Sequence, residues 1–179
     1  MFTNQKVHKF LAFVFCFSIF SSISQSNEDT PFHNMAINEI PKPISSIIFD
    51  DFSGNKINLD DYKGSLVILN FWATWCAPCK NEMLSLDNLY QNNSFKNLII
   101  FPVNMEQPNT KKTKKFYNEL NIKKLKIFFD PNLNFVKTFK LRGVPTTILI
   151  NKKGEEFSRI IGEANFTDKN FIKWLQKYD

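Results

Sequence analysis

Two cysteines, Cys76 and Cys79, stand three positions apart in the stretch FWATWCAPCK. The pair follows an apolar run, LVILN, that is typical of a buried strand. Three kinds of chemistry use such a pair: metal binding, a structural cross-link, and the exchange of electrons between thiols and disulfides. The elements that position the two sulfurs decide among these uses.

The residues after the pair predict a helix from about residue 77 to residue 91, with Cys76 at its start and Cys79 one turn on. Helix dimensions then place the two Cα atoms about 5 Å apart, which is within disulfide range. Unpaired amide groups and the helix dipole would stabilise a thiolate at Cys76, so this is the predicted attacking sulfur. Pro78 fits the first turn, and Trp75 with the adjacent apolar residues is expected to leave Cys76 exposed and to shield Cys79.

Other uses of the pair fit the chain less well. A structural zinc site needs four ligands, and beyond the two cysteines the chain offers only His33 and His8. A purely structural disulfide would close too small a loop to remove much entropy from the unfolded chain. Capture of copper with His33 or Met35 is chemically possible without a spacing that supports it, so a copper-delivery module for an oxidase subunit stays as the alternative function. We expect redox exchange, with no bound metal or other cofactor.

The first 24 residues are typical of a targeting segment. Lys6 and Lys9 precede the apolar stretch FLAFVFCFSIF, which has the length of a signal-peptide core and is shorter than the roughly 20 residues of a spanning helix. Cleavage after Ser24 and retention as a membrane anchor both fit this pattern. Either one places the rest of the chain in the periplasm or on the outer face of the cytoplasmic membrane. Cys16 lies within the apolar stretch, which leaves the close pair as the only thiols of the exported domain.

Length and composition allow one domain with appendages. The chain has 179 residues, 43% of them hydrophobic, and can bury one substantial core. The net charge is +6, but the lysines are scattered except in TKKTKKF at residues 110–116. Four lysines on a short amphipathic helix usually form a solvated face, so we expect no nucleic-acid partner. Residues 25–43 are polar and proline-containing and predict a linker, which leaves residues 44–179 as the folded domain.

The folded part alternates strand and helix patterns, as in an α/β protein with helices on both faces of a sheet. Two short strands around a turn are predicted over residues 47–59, followed by a strand over residues 66–71 that leads into the cysteine helix. A second buried strand over residues 97–104, a helix from about residue 110, and a hairpin over residues 146–161 come next. A final helix ends the chain.

Two stretches, LVILNFWATWCAPCKNEM and RGVPTTILINKKG, resemble the thioredoxin superfamily. Within it they are similar to the envelope branch of TlpA- and ResA-like thiol-disulfide oxidoreductases. The resemblance spans about residues 47–178. It implies a thioredoxin fold with a mixed central sheet flanked by helices, an N-terminal β-hairpin, and an inserted helix-strand segment at residues 107–129.

The resemblance also implies roles for individual residues. Cys76 is the nucleophile, Cys79 is the resolving thiol, and Pro145 is a cis-proline that faces the pair. A cis bond there would expose backbone groups of Val144 with which a substrate strand could pair. The expected substrate-binding residues are Trp75, Ala77, Pro78 and Val144.

The chain departs from cytoplasmic thioredoxins at Asn70, where they carry a buried aspartate six residues before the first cysteine. Another group must then relay the proton of the resolving thiol. ResA-type relatives place an acidic residue after the strand that here reads FPVNMEQ, which makes Glu106 the expected relay. Their register could equally fall on Gln107, and a solvated loop carboxylate is the alternative interpretation of Glu106.

These features together predict an exported or anchored monomer that reduces protein disulfides with electrons from a membrane thiol donor. Attack by Cys76 forms a mixed disulfide, and Cys79 releases it. The resemblance implies disulfide-bearing envelope proteins as substrates. Apocytochrome c is one of them, since export oxidises its haem-site cysteines before haem can attach.

Overall fold

The computed structural model describes residues 30–179, so the predicted targeting segment lies outside the described residues. The elements in chain order are β1 (Met35–Pro43), β2 (Ile48–Asp51), β3 (Lys56–Asn58), β4 (Leu66–Trp72), α1 (Ala77–Tyr90), β5 (Leu98–Asn104), α2 (Thr110–Glu119), β6 (Phe128–Phe129), α3 (Asn134–Phe139), β7 (Thr146–Ile150), β8 (Glu155–Ile161) and α4 (Lys169–Leu175). None of the helices in this part of the chain combines the length and the apolar character needed to cross a bilayer.

All of these strands join one mixed sheet in the order β1-β8-β7-β4-β5-β6-β2-β3. The β4–β5 and β5–β6 pairs are parallel, and the remaining pairs are antiparallel. The predicted thioredoxin-like α/β fold is confirmed. The hairpin β2–β3 and the inserted segment that contains α2 and β6 meet at one side of the sheet, because β2 pairs with β6.

Strand β4 is buried along its whole length, and its alternate side chains point to opposite faces of the sheet. The even-numbered residues Leu66, Ile68 and Trp72 pack into a core with α1, α2 and α4. The odd-numbered residues Val67, Leu69 and Phe71 pack into a second core, with α3 and the β2–β3 hairpin, on the opposite face of the sheet. Asn70 is on the same face as the even-numbered residues, so its polar side chain points toward α1.

The linker prediction is wrong for Met35–Pro43, which forms β1 and pairs with β8 at the edge of the sheet. Met35 is buried, and the side chain of Asn38 donates a hydrogen bond to the carbonyl of Glu156 at 3.1 Å. An edge strand with a solvent-facing side needs little apolar periodicity, and it tolerates prolines that would break a central ladder. The folded part of the chain therefore begins before residue 44.

The sheet brings two loops of the chain to one edge. Strand β4 ends at Trp72 and leads directly into α1. Strand β7 runs antiparallel to β4, and its first residue, Thr146, lies opposite Phe71 near the end of β4. The start of α1 and the loop before β7 are therefore neighbours.

Candidate active site

Cys76 and Cys79 form a disulfide at the start of α1, with their Cα atoms 5.3 Å apart. This separation agrees with the one predicted from helix geometry. Cys76 is the N-cap residue, and its Sγ accepts a hydrogen bond from the Cys79 N–H at 3.2 Å. In the reduced pair, this donor and the positive end of the helix dipole favour a thiolate on Cys76. Pro78 lies in the first turn, where its missing N–H breaks no helical hydrogen bond.

Both cysteines are buried in the disulfide-bonded form, Cys76 with 3% of its surface exposed and Cys79 with none. The expectation that Cys76 would be exposed is therefore wrong for this form, since its sulfur is bonded to Cys79 and receives that residue's amide. Trp75 is 70% exposed, and Ala77 and Pro78 are exposed as well. These three residues, adjacent in sequence to the cysteines, are thus exposed where the sulfurs are buried.

The loop before β7 contains a cis peptide bond between Val144 and Pro145, in agreement with the resemblance. Val144 is half-buried and packs against both apolar cores. The Pro145 carbonyl accepts a hydrogen bond from the Gly162 N–H at 2.9 Å, which ties the loop to the end of β8. The chain is therefore fixed at the point where a substrate strand was expected to pair.

Glu82, which sequence reasoning missed, is a buried carboxyl on α1 with 1% of its surface exposed. Its Oε1 accepts a hydrogen bond from Asn70 Nδ2 at 2.7 Å, and its Oε2 accepts one from the Ala164 N–H at 3.1 Å. Burial raises the pKa of Glu82 to about 7, although these two hydrogen bonds act in the opposite direction. Helical residues three apart are neighbours on one face, so Glu82 shares the buried face of α1 with Cys79.

Asn70, the departure noted in the sequence, is part of the same arrangement. Its side chain is fully buried and donates a second hydrogen bond, to Thr147 Oγ1, at 3.0 Å. The amide thus holds the Glu82 carboxyl in place without adding a charge. A signal for this pair was present in the sequence, because Glu82 falls between Cys79 and Met83 on the inward face of a predicted helix.

Glu106 lies just after β5 in a different setting. Its Oε2 accepts a hydrogen bond from the Thr74 N–H at 2.6 Å, and its Oε1 forms an ion pair with Lys112 Nζ at 2.5 Å. Burial alone would raise the pKa of Glu106, but Lys112 and the Thr74 amide together lower it below its ordinary value. Such a carboxylate carries no proton at neutral pH and is a weak base. The structure thus does not support Glu106 as the relay for Cys79; this residue fastens the loop before Cys76 to α2.

Among residues 30–179, no three His, Cys, Asp or Glu side chains gather into a group that could hold a metal ion. His33 is exposed, and Met35 packs into the apolar core. The groups that the described residues bring together at this edge of the sheet are the thiol pair, the buried Glu82 carboxyl on α1 and the backbone of the loop before β7.

Comparison with known proteins agrees with this chemistry. The sequence model of the AhpC/TSA family matches residues 40–155. Thiol-disulfide oxidoreductase ResA of Bacillus cereus is 32% identical over 139 residues, which are 78% of this chain and 78% of the relative. The protein of the same name from Bacillus anthracis is 34% identical over 139 residues, with the same shares of 78% and 78%. The crystal structure of StoA from Bacillus subtilis superimposes with a TM-score of 0.61 at 25% identity, covering 77% of this chain and 98% of that one.

Proposed function

Because the chain belongs to the AhpC/TSA family of thioredoxin-like proteins and is a thiol-disulfide oxidoreductase, we propose that it acts outside the cytoplasm as a reductase of protein disulfides. The observation that carries the proposal is the composition of the site. A cysteine at a helix start, a buried second cysteine and a carboxyl with a pKa of about 7 occupy one face of α1. These are the groups that two successive thiol-disulfide exchanges need.

In the first exchange, the Cys76 thiolate attacks one sulfur of the substrate disulfide. A new S–S bond joins Cys76 to the substrate, the old S–S bond breaks, and the second substrate sulfur leaves as a thiolate. The Cys79 amide and the helix start hold the attacking charge. Trp75 and Pro78 form the rim that receives the substrate, and the backbone of Val144 pairs with it.

In the second exchange, Cys79 must lose its proton before it can attack Cys76 Sγ. The Glu82 carboxylate takes this proton, because a base with a pKa near 7 accepts it at neutral pH and can pass it on. The S–S bond between Cys79 and Cys76 forms as the substrate sulfur leaves, and that thiolate acquires a proton. The substrate gains two electrons, and the protein becomes the disulfide. Glu82 thus takes the relay role that the sequence had suggested for Glu106.

We further propose where the enzyme acts, what supplies its electrons and which proteins it reduces. Residues 1–24 direct export or form an anchor, and a membrane thiol donor returns electrons to the oxidised pair. The substrates are exported proteins with disulfides, apocytochrome c among them. A reductase of this kind needs a reducing potential, closer to the roughly −270 mV of thioredoxin than to the roughly −120 mV of DsbA. A redox titration of the purified protein that gave a DsbA-like value would reverse the assigned direction of electron flow.

Trapping of covalent partners tests the proposal. The Cys79→Ser protein should remain joined to its substrates through Cys76, because the group that expels them is gone, whereas Cys76→Ser should trap almost nothing. Recovery of c-type apoproteins with a C-x-x-C-H motif would support the cytochrome assignment. A broad mixture of exported proteins would favour general disulfide reduction instead. Symmetrical trapping by the two variants would contradict the assigned roles.

A further inference from the structure

A groove begins at the cis-proline loop and runs on the α3 side of the sheet to the edge strand β1. One wall is the segment from Thr138 to Pro145, and the opposite wall is β1 with the residues just after it. Its floor is β8, which lies between β1 and β7 in the sheet. The groove encloses about 900 Å³, a volume within the range of functional ligand sites.

The rim of the groove is positively charged. Lys42 stands on one wall, and Lys140 and Arg142 stand on the other. All three are exposed, and none forms an ion pair with an acidic residue among residues 30–179. The groove therefore offers three charges whose partners are not supplied by the described part of the fold.

The single acidic side chain that lines the groove is already neutralised. Glu156 is buried, its Oε1 accepts a hydrogen bond from Arg159 Nε at 2.7 Å, and Arg159 Nη2 lies 2.7 Å from the same oxygen in an ion pair. Another nitrogen of Arg159 donates to the Phe139 carbonyl at 3.3 Å, which joins β8 to the end of α3. With four cationic side chains and one anionic one, the lining carries a net positive charge.

The groove is also partly apolar and joins the proposed substrate contact. Ile161 is 61% exposed on its floor, and Leu141 and Val144 contribute further apolar surface. Val144 belongs both to this lining and to the loop at which the substrate backbone pairs. A chain that leaves the substrate cysteine in this direction would enter the groove, cover Ile161 and pass the three free cations.

We propose that this groove binds an extended acidic segment of the substrate protein adjacent in sequence to the disulfide that Cys76 attacks. The proposal rests on the proposed function and names a substrate preference for the same site. Complementary charge at such a rim mainly raises the rate of productive encounter, so the preference belongs in kcat/KM and weakens with salt.

Two disulfide peptides that differ only in their flanking residues test this proposal. One carries three aspartates next to the disulfide, and the other carries three lysines. The full-length reduced protein should reduce the acidic peptide faster at low salt. The double variant Lys140→Glu/Arg142→Glu should lower kcat/KM for the acidic peptide about tenfold without slowing reduction of the basic one. Lys42→Glu, on the opposite wall, should also lower kcat/KM for the acidic peptide, by about threefold.

A matched variant separates the groove from net charge. Lys152→Glu/Lys153→Glu changes the protein's charge equally at two exposed residues of the β7–β8 turn outside the groove. It should keep the wild-type preference, and all variants should reduce the small neutral compound 2-hydroxyethyl disulfide within twofold of wild type. Equal rates on the two peptides, or the same loss in the turn variant, would overturn the groove proposal alone. Failure of the wild-type protein to reduce the neutral compound would overturn the proposed function and the groove proposal with it.

Discussion

Glu82 and Glu106 each accept a backbone N–H, yet their surroundings move their pKa values in opposite directions. Glu82 is buried among neutral partners, Asn70 and the Ala164 amide, and burial raises the pKa of Glu82 to about 7. Burial also acts to raise the pKa of Glu106, but the Lys112 ammonium and the Thr74 amide outweigh it. Two differences act together: Glu82 is almost fully buried whereas the Glu106 side chain is 19% exposed, and a cation lies beside Glu106.

This difference separates a proton carrier from a structural anchor. A carboxyl that is half-protonated near pH 7 can accept the Cys79 proton and release it within one catalytic cycle. A carboxylate held by a lysine stays charged through the same cycle and can only hold the loop before Cys76 in place. In the proposed mechanism, two acidic residues near one cysteine pair thus have different tasks because of where the fold places them.

The largest expected contrast is in the pH dependence of unfolding. Folding raises the pKa of Glu82 from 4.5 to about 7, so the folded protein binds the proton more tightly. The stabilisation that Glu82 gains from its tighter proton binding is fully present below pH 4.5. As the pH rises to about 7 this stabilisation is lost, which lowers the free energy of unfolding by on the order of 3 kcal/mol. Denaturant titrations should show this fall in the wild-type protein and not in Glu82→Gln. The exposed variant Glu39→Gln on β1 should keep it, and a flat difference between wild type and Glu82→Gln would contradict the assignment.

Replacement of Asn70 by Asp sharpens the contrast by adding a charge where the fold has a neutral amide. A second carboxylate about 2.7 Å from Glu82 Oε1 would raise the pKa of the pair, because two like charges so close cannot both ionise. We expect Asn70→Asp to lower the unfolding free energy at pH 8 by about 2 kcal/mol and to regain most of this at pH 5. Thr147→Val removes the other partner of the amide without adding charge and should lack this pH dependence. The same loss at both pH values in Asn70→Asp would count against a buried, proton-binding Glu82.

For Glu106 the contribution to folding stability changes with pH in the opposite direction. Its pKa is lowered by folding, so its contribution to stability is present above its ordinary value of 4.5 and disappears as the pH falls through the lowered value. Glu106→Gln should lower the unfolding free energy at pH 7 by about 1 kcal/mol, since a charge-assisted hydrogen bond to the Thr74 amide becomes a neutral one. The difference from wild type should shrink in acid. A difference that grew in acid would show that Glu106 binds protons more tightly in the folded protein.

The smallest expected effect is at Lys112, the cation that distinguishes the two settings. Its side chain is 51% exposed, so Lys112→Met should lower the unfolding free energy by only about 0.5 kcal/mol at low salt, and by less at high salt. The pKa of Glu106, followed by NMR of its side-chain carbon, should rise in this variant. Lys111→Met, an exposed neighbour on α2, should leave that pKa unchanged. An unaltered Glu106 pKa in Lys112→Met would remove the lysine from the explanation.

Sequence reasoning succeeded where local spacing determines structure. The start of α1, the separation of the two cysteines and the hairpin β2–β3 depend on residues at most ten positions apart. It failed where partners are distant: β1 pairs with β8 across more than a hundred residues, and its polar edge sequence gives no periodic signal. The inward position of Glu82 on its helix could be predicted from local spacing, but its partners Asn70 and Ala164 lie 12 and 82 positions away and could not. Its burial is a property of the assembled fold, and burial is what raises its pKa.

The resolution step of the mixed disulfide tests the central claim most directly. The reduced protein can be mixed with a disulfide peptide, and the two exchanges followed by the fluorescence of Trp75, which adjoins Cys76. At pH 7, Glu82→Gln should resolve the mixed disulfide about a hundredfold more slowly than wild type, while initial attack by Cys76 stays nearly unchanged. Glu106→Gln should resolve it within threefold of the wild-type rate. Wild-type resolution in Glu82→Gln, or a larger slowing in Glu106→Gln, would contradict the assignment of Glu82 as the proton acceptor for Cys79.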